Sequence, residues 1–287
     1  TMLRLLATYL ACTFPGIVVD ARPPHAIQTP ATRTRHALSS TTPRAANGTT
    51  AVYLANGCFW ERQWAYYVVE TTTTPFGRAA IDVSSKVGYA GGHPSAVDTP
   101  GPVCYHSGDE RDYSTLGMAE AVRVVLDESR ASDQMRVLSR DFFDSFTGPA
   151  GQRARPDAGD VGTPYRSMVG LPGGNASALY AVFAAENTLA MALKPGVGGD
   201  ADELNTVWVY DSTRFPFYDG ERYHQAHCNF FASEGMPYPA SYTGSLWTQK
   251  ATDGGAYANL WQPTGCPEGV MPHPGQLCDA ARFQAWG

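Results

Sequence analysis

Short apolar segments alternate with polar, glycine-containing turns along most of the chain, and their spacing predicts both strands and helices. Residues 51–55 are apolar except for a tyrosine hydroxyl and end at Asn56-Gly57, which predicts a buried strand closed by a turn. Cys58 then begins an apolar-rich helix that we expect to reach about Val69. The other expected strands are 81–89, 119–127, 167–169 and 206–210, and the other expected helices are 132–146, 177–193 and 218–232.

These elements alternate without a strict strand–helix–strand repeat. The order therefore predicts an α/β (α+β) fold, a mixed sheet sandwich with flanking helices. A long irregular stretch at residues 93–116 interrupts the pattern, and a stretch of this length is typical of a functional loop or an insertion. From residue 235 onward glycine, proline and threonine predominate, which favours coil.

The chain begins with a pattern typical of a targeting segment. Met2 and Arg4 precede an apolar run from Leu5 to Val19, which is short for a bilayer span. We expect a secretory signal at residues 1–21 and hence a location in the secretory pathway or outside the cell. Residues 22–50 are rich in Pro, Thr and Arg and form either a linker or a transit stretch, which leaves a plastid or mitochondrion as the alternative.

Composition favours a folded body without nucleic-acid partners. The chain has 287 residues, of which 43% are apolar and 17% charged, enough to bury a core. Residues 1–46 hold five of the 21 basic residues but one of the 27 acidic residues, so the remainder has a net charge of −10. Because nucleic-acid binding needs a basic footprint, this acidic body argues against it.

Cys58 is the first candidate for chemistry. It follows a strand and a glycine turn at the first turn of a helix, where backbone N–H groups and the helix dipole favour a thiolate over a thiol. Phe59 and Trp60 beside it offer an apolar wall for a methyl or thioether group. A buried structural cysteine in an aromatic core is the alternative that these residues alone leave open.

Five sequence blocks between residues 51 and about 232 carry a family resemblance. They are GCFW at 57–60, KVGYAGG at 86–92, GMAEAVRVV at 117–125, DVGTPYRS at 160–167 and FYDGERYHQ at 217–225. Together and in this order they resemble the motifs of the A-type peptide methionine sulfoxide reductases. The resemblance implies a catalytic domain at residues 51–235 with a ferredoxin-like core, followed by a coil-rich tail at 236–287.

The resemblance also implies the chemistry. In that family a cysteine thiolate attacks the sulfur of methionine S-sulfoxide, releases methionine and becomes a sulfenic acid, which is the position of Cys58. Glu120 matches the acid that protonates the leaving oxygen. Phe59 and Trp60 match residues that hold the substrate methyl group. The substrate is methionine sulfoxide, free or in peptides.

Three further residues are implied to form the polar side of the site. Tyr165 matches a tyrosine that binds the sulfoxide oxygen, and Asp160 matches an acid that orders the pocket. A second tyrosine of the family is missing at Pro100, and Tyr105 or Tyr113 is the candidate replacement, with Tyr113 preferred.

Two other positions depart from the family pattern. Glu61 replaces a glycine, and Met118 replaces a histidine. An acid beside the nucleophile either disfavours the thiolate or caps the helix. Substrate preference and rate are the properties that these departures affect.

The remaining cysteines are candidates for resolving the sulfenic acid, and they are Cys266, Cys278 and Cys228. A structural disulfide between Cys266 and Cys278 is the alternative. No bound cofactor is expected, and the reductant is expected to be an external dithiol such as thioredoxin. The cysteines lack the paired short spacing of a zinc site, so no metal is expected.

The protein is expected to be a monomer. Two other functions remain open from the sequence. One is a secreted domain that binds methionine or its sulfoxide without turnover. The other is a hydrolase in which His224 or His227 serves as the base for Cys58.

Overall fold

The computed structural model describes residues 48–98, 101–105, 110–146, 154–155, 157–221, 224–227 and 266. The expected signal at 1–21, nearly all of the segment 22–50, and the expected tail apart from Cys266 lie outside the described residues. Cys228 and Cys278 lie outside them as well. Within the described part of the chain, every helix is too short or too polar to cross a membrane.

Within the described residues, seven strands form one mixed sheet. They are β1 (Thr49–Ala55), β2 (Lys86–Ala90), β3 (Ala119–Asp127), β4 (Met168–Leu171), β5 (Ala192–Pro195), β6 (Thr206–Asp211) and β7 (Tyr218–Asp219). Their order across the sheet is β5-β6-β4-β1-β3-β2-β7. In the part of the chain that the structure describes, three α-helices accompany the sheet: α1 (Phe59–Thr72), α2 (Ala131–Asp144) and α3 (Ala178–Ala185). The predicted mixed sheet with flanking helices is confirmed.

The centre of the sheet has ferredoxin-like topology. The chain runs β1-α1-β2-β3-α2-β4, while the spatial order is β4-β1-β3-β2 and each neighbouring pair is antiparallel. Strand β3 therefore lies between β1 and β2, the two strands that α1 connects. This topology brings the start of α1 close to the start of β3, where the candidate residues lie.

Apolar packing explains why these strands and helices hold together. β3 is an almost continuous run of buried residues, as expected for a strand covered on both sides. Met135, Leu138 and Phe142 of α2 are fully buried against the core, and Phe142 also packs on Phe183 of α3 at 5.4 Å between ring centroids. Burial of each such side chain contributes about 1.5–3 kcal/mol.

The helix expected over 177–193 is wrong in its second half. α3 ends at Ala185, and Ala192–Pro195 is strand β5. Asn187 explains the break, because its side chain donates to the Met191 carbonyl at 2.8 Å and accepts from the Met191 N–H at 3.0 Å. These bonds compete with helical ones, and Ala190 adopts φ +52 within the turn.

Two other expected elements are also corrected. The strand expected over 81–89 begins only at Lys86, since the N–H groups of Ser84 and Ser85 donate to the Glu70 carboxylate instead of a neighbouring strand. The helix expected over 218–232 is wrong at its start, because Tyr218–Asp219 pairs with the edge of β2 at Gly88 and Tyr89. Pairing with a free strand edge outweighs the local helical spacing there.

Candidate active site

Cys58 lies in the turn between β1 and α1. It is the N-cap of α1, with extended backbone angles of φ −60 and ψ 124, so its side chain leaves the chain at the positive end of the helix. Gly57 before it has φ +99, a conformation that favours glycine. The Gly57 N–H donates to the Tyr165 carbonyl at 3.1 Å, which fixes the turn against the loop that carries Asp160 and Tyr165.

Two carboxyl groups from distant parts of the chain meet the first N–H groups of this turn. The Cys58 N–H donates to Oδ2 of Asp160 at 2.7 Å, and the Phe59 N–H donates to Oε2 of Glu120 at 2.9 Å. Glu120 comes from the second position of β3, and Asp160 precedes the 3-10 helix Thr163–Tyr165. Both are buried. The sequence-predicted nucleophile and acid therefore lie at the same end of α1.

The environment of Glu120 keeps its carboxyl group protonated. Burial raises the pKa of this carboxyl to about 8, with the nearby Asp160 adding to the rise. The Phe59 N–H and the hydroxyls of Tyr105 and Tyr113 act in the opposite direction but do not outweigh burial. At neutral pH most Glu120 side chains are therefore neutral carboxylic acids, which can donate a proton.

The pKa of Asp160 is raised less than that of Glu120. Burial raises its pKa to about 6, and the hydrogen bond from the Cys58 N–H and the charge of Arg155 oppose that rise. Asp157 and Glu61 add to it. Asp160 is thus mainly ionised at pH 7, so the pair combines one proton donor with one anionic hydrogen-bond acceptor.

An aromatic wall surrounds the cysteine turn. The rings of Phe59 and Trp60 are stacked with centroids 6.3 Å apart, and Tyr105 stacks on Phe59 at 6.2 Å. On the other side, His227 stacks on Trp60 at 3.7 Å, and the Trp60 indole N–H donates to Nδ1 of His224 at 3.2 Å. The two histidines thus contact the aromatic wall, a role that the sequence did not predict.

The tyrosines lie on the Glu120 side. The Tyr113 hydroxyl donates to Oε1 of Glu120 at 3.4 Å, and its ring stacks between Tyr89 at 4.8 Å and Tyr105 at 5.1 Å. Burial raises the pKa of Tyr113, with Glu120 and then Tyr165 adding to the rise, so its hydroxyl keeps its proton. Both candidate replacements for the missing tyrosine, Tyr105 and Tyr113, therefore contact the acid.

Glu221 orders this side of the site and was missed by sequence reasoning. It is buried, accepts from the Tyr105 N–H at 2.7 Å and bonds to the Tyr89 hydroxyl. A signal was present, because Glu221 lies within the last of the five blocks. Glu61, one of the two departures, forms an ion pair with Arg62.

The disulfide bond in the structure joins two cysteines that the sequence analysis did not pair. Cys266 forms a disulfide with Cys104, with 5.6 Å between the Cα atoms, so the Cys266–Cys278 disulfide, which was the alternative to a resolving role, is wrong. In this state Cys266 has no thiol with which to resolve a sulfenic acid. Cys58 forms no disulfide with another described cysteine. Ligand atoms of Cys104, Cys266 and Glu221 lie within 4.8 Å of one another, but disulfide sulfurs are not the thiolates that metal ions bind.

Comparisons with known proteins give similarity to solved structures alone. No family model and no curated protein matches the chain. Methionine sulfoxide reductase A of Corynebacterium diphtheriae is 21% identical, with a TM-score of 0.39 over 66% of this chain and 77% of that chain. Mxr1 from Saccharomyces cerevisiae in reduced form is 26% identical, with a TM-score of 0.36 over 62% of this chain and 83% of that chain. Mxr1 from Saccharomyces cerevisiae in an unusual oxidized form is 22% identical, with a TM-score of 0.32 over 62% of this chain and 79% of that chain. What this chain does is therefore inferred from the contacts of its own site.

Proposed function

We propose that this chain reduces methionine S-sulfoxide to methionine, with Cys58 as the nucleophile and Glu120 as the acid. The observation that carries the proposal is the neutral carboxyl of Glu120, hydrogen-bonded to the N–H of the residue next to Cys58. A buried acid with a pKa near 8 suits proton donation to a leaving oxygen at neutral pH. The five blocks, in the order of the A-type reductases, support the same function.

The first step transfers oxygen from the substrate to the cysteine. The Cys58 sulfur attacks the sulfoxide sulfur as Glu120 gives its proton to the sulfoxide oxygen. The attack leaves an S–S bond to Cys58 and a hydroxyl on the substrate sulfur. The hydroxyl then moves to the Cys58 sulfur as the S–O and S–S bonds of the substrate sulfur break, so that methionine leaves as the reduced thioether and Cys58 becomes a sulfenic acid. Phe59 and Trp60 hold the substrate methyl group, while Tyr113 and Tyr165 bind its oxygen.

The second step returns Cys58 to the thiol. A dithiol reduces the sulfenic acid, forms its own disulfide and releases water, so the two electrons that reduced the substrate come from the dithiol. We propose an external dithiol of the thioredoxin kind, because Cys266 is joined to Cys104 in this structure.

The test is a turnover assay on both epimers of a methionine sulfoxide peptide with dithiothreitol as the reductant. Wild-type protein is expected to reduce the S epimer and leave the R epimer, and Cys58→Ser is expected to abolish turnover because a hydroxyl does not replace a thiolate. Cys104→Ser, which breaks the Cys104–Cys266 disulfide, is the control that shows how much turnover is lost when a cysteine other than Cys58 is replaced. Undiminished turnover in Cys58→Ser contradicts the proposal.

The same preparations separate the other two functions. Hydrolysis of an ester or peptide without any dithiol favours a Cys–His hydrolase. Binding of methionine sulfoxide that persists in Cys58→Ser, together with no turnover by the wild type, favours a binding domain.

A further inference from the structure

Arg155 contacts the backbone of Asp160 and the turn that carries Cys58. The Arg155 guanidinium donates from Nη1 to the backbone carbonyl of Asp160 at 2.6 Å and from Nη2 to Oγ of Ser167 at 3.3 Å. Its stem also faces the cysteine turn, since a Cβ added to Gly57 would lie 3.3 Å from Arg155 Cδ. A single buried side chain thus contacts three parts of the site's framework.

Asp202 holds this arginine in a fixed orientation. Its two carboxylate oxygens accept from Nη2 of Arg155 at 2.6 Å and from Nη1 at 3.0 Å, a bidentate pair. The same carboxylate accepts from the Gly162 N–H at 2.9 Å. Asp202 is therefore bonded both to the residue behind Asp160 and to the loop just after it.

We infer that Arg155, held by Asp202, is a positioning residue that keeps the Asp160 carboxylate on the Cys58 N–H. The inference rests on the proposed function for its effect on turnover, but its effect on Cys58 itself does not. Neither residue belongs to the five blocks, and sequence inspection gives no reason to pair them.

The reason is geometric and electrostatic. Arg155 bonds the Asp160 backbone and leaves the carboxylate for Cys58, because Asp202 already occupies the guanidinium fork. Without Asp202, the guanidinium is expected to turn toward the Asp160 carboxylate and draw it from the Cys58 N–H. Without Arg155, the loop at Asp160 loses its anchor, and the partly buried Asp202 carboxylate is left without its cation.

The experiment compares Arg155→Met and Asp202→Asn with a matched exposed pair on the same protein. Lys194 and Glu203 form that pair, with Nζ and Oε2 2.6 Å apart and both side chains 45% exposed, so Lys194→Met and Glu203→Gln are the controls. Two quantities are measured on folded protein: turnover of methionine S-sulfoxide, and the rate of Cys58 alkylation by iodoacetamide against pH, followed on the peptide that carries Cys58.

Arg155→Met and Asp202→Asn are each expected to lower turnover on the order of 10-fold to 100-fold, because a small displacement of a group near the reacting atoms slows the reaction by such a factor. Both controls are expected to keep wild-type turnover. The alkylation profiles are expected to move in opposite directions. Arg155→Met removes a cation and raises the midpoint pH, whereas Asp202→Asn leaves that cation unbalanced and lowers it. A role in stability alone moves neither midpoint.

The outcomes also separate the two proposals. If the wild type fails to reduce methionine sulfoxide but the two profiles still shift in opposite directions, the positioning role stands and the proposed function falls. Unshifted profiles, or turnover equal to that of the controls, overturn the positioning role. Arg155→Lys keeps the charge and loses the fork, so it also serves if Arg155→Met fails to fold. A loss of turnover and a changed midpoint in Arg155→Lys follow from the lost fork, whereas wild-type values of both overturn the positioning role.

Discussion

A fully buried glutamate lies at each end of helix α1, and the two have very different hydrogen-bond partners and charged neighbours. At the far end, Glu70 pairs with Arg78 and accepts from the N–H groups of Ser84 and Ser85 at 2.7 and 2.8 Å. At the start, Glu120 meets one backbone N–H, from Phe59, and the hydroxyls of two tyrosines.

The difference shows what turns a buried carboxyl into an acid. Burial raises the pKa of both groups, but Arg78 and the serine donors oppose the rise at Glu70. The weaker partners of Glu120 leave its pKa at about 8. Glu70 thus has the partners of a structural ion pair, whereas Glu120 has the surroundings of a proton donor and is bonded to the residue that follows Cys58.

The largest expected effect comes from removing the proton of Glu120. Glu120→Gln keeps the size of the side chain and its carbonyl acceptor for the Phe59 N–H, but it cannot supply a proton to the leaving oxygen. Single-turnover reduction of methionine S-sulfoxide is expected to slow by roughly 10²–10⁴-fold, with little change in thermal stability. A single-turnover rate equal to that of the wild type removes Glu120 from the mechanism.

The matched change at the other end is Glu70→Gln. It breaks the buried pair with Arg78 and is expected to lower the free energy of unfolding by about 3 kcal/mol. Turnover per folded molecule is expected to stay at the wild-type level, since Glu70 lies at the opposite end of the helix from Cys58. Urea unfolding and turnover on the same samples check both halves, and a comparison in which both variants lose turnover alike breaks the contrast.

A smaller and graded effect follows from pH. Since the acid form of Glu120 is the one required, turnover is expected to fall roughly tenfold per pH unit above about 8. The folded state also binds this proton more tightly than the unfolded chain, where the ordinary pKa is 4.5, so the Glu120 contribution to stability is lost as pH rises from about 4.5 to about 8. Denaturation across this range should show a decline that Glu120→Gln reduces more than Glu70→Gln does, and Asp160, whose pKa is raised to about 6, contributes to the part that remains.

Some of this arrangement could be predicted from the sequence, and some could not. The turn at Gly57-Cys58 and the strand that carries Glu120 follow from local pattern, and the structure has both. The bond between Glu120 and the Phe59 N–H depends on how α1 packs over β3, which local spacing does not encode. The same holds for Arg155 with Asp202, 47 residues apart, and for Cys104 with Cys266, 162 residues apart.

The smallest expected effect compares glycines at the two ends of α1. Gly57 precedes the helix with φ +99, and a Cβ there would lie 2.6 Å from Oδ2 of Asp160. Gly77 follows the helix with φ +56, and its nearest neighbour to such a Cβ is the Thr74 carbonyl at 3.8 Å. Both alanine variants strain the backbone and are expected to lose about 1 kcal/mol of stability.

They differ in what the added methyl group touches. In Gly57→Ala it must push the Asp160 carboxylate off the Cys58 N–H, so turnover is expected to fall roughly tenfold beyond the loss of folded protein. In Gly77→Ala turnover is expected to follow the folded fraction alone. Thermal melting and turnover at matched folded fraction check this. Because backbone strain is common to both variants, equal turnover in the two means that the contact between Asp160 and Cys58 does not matter for the reaction.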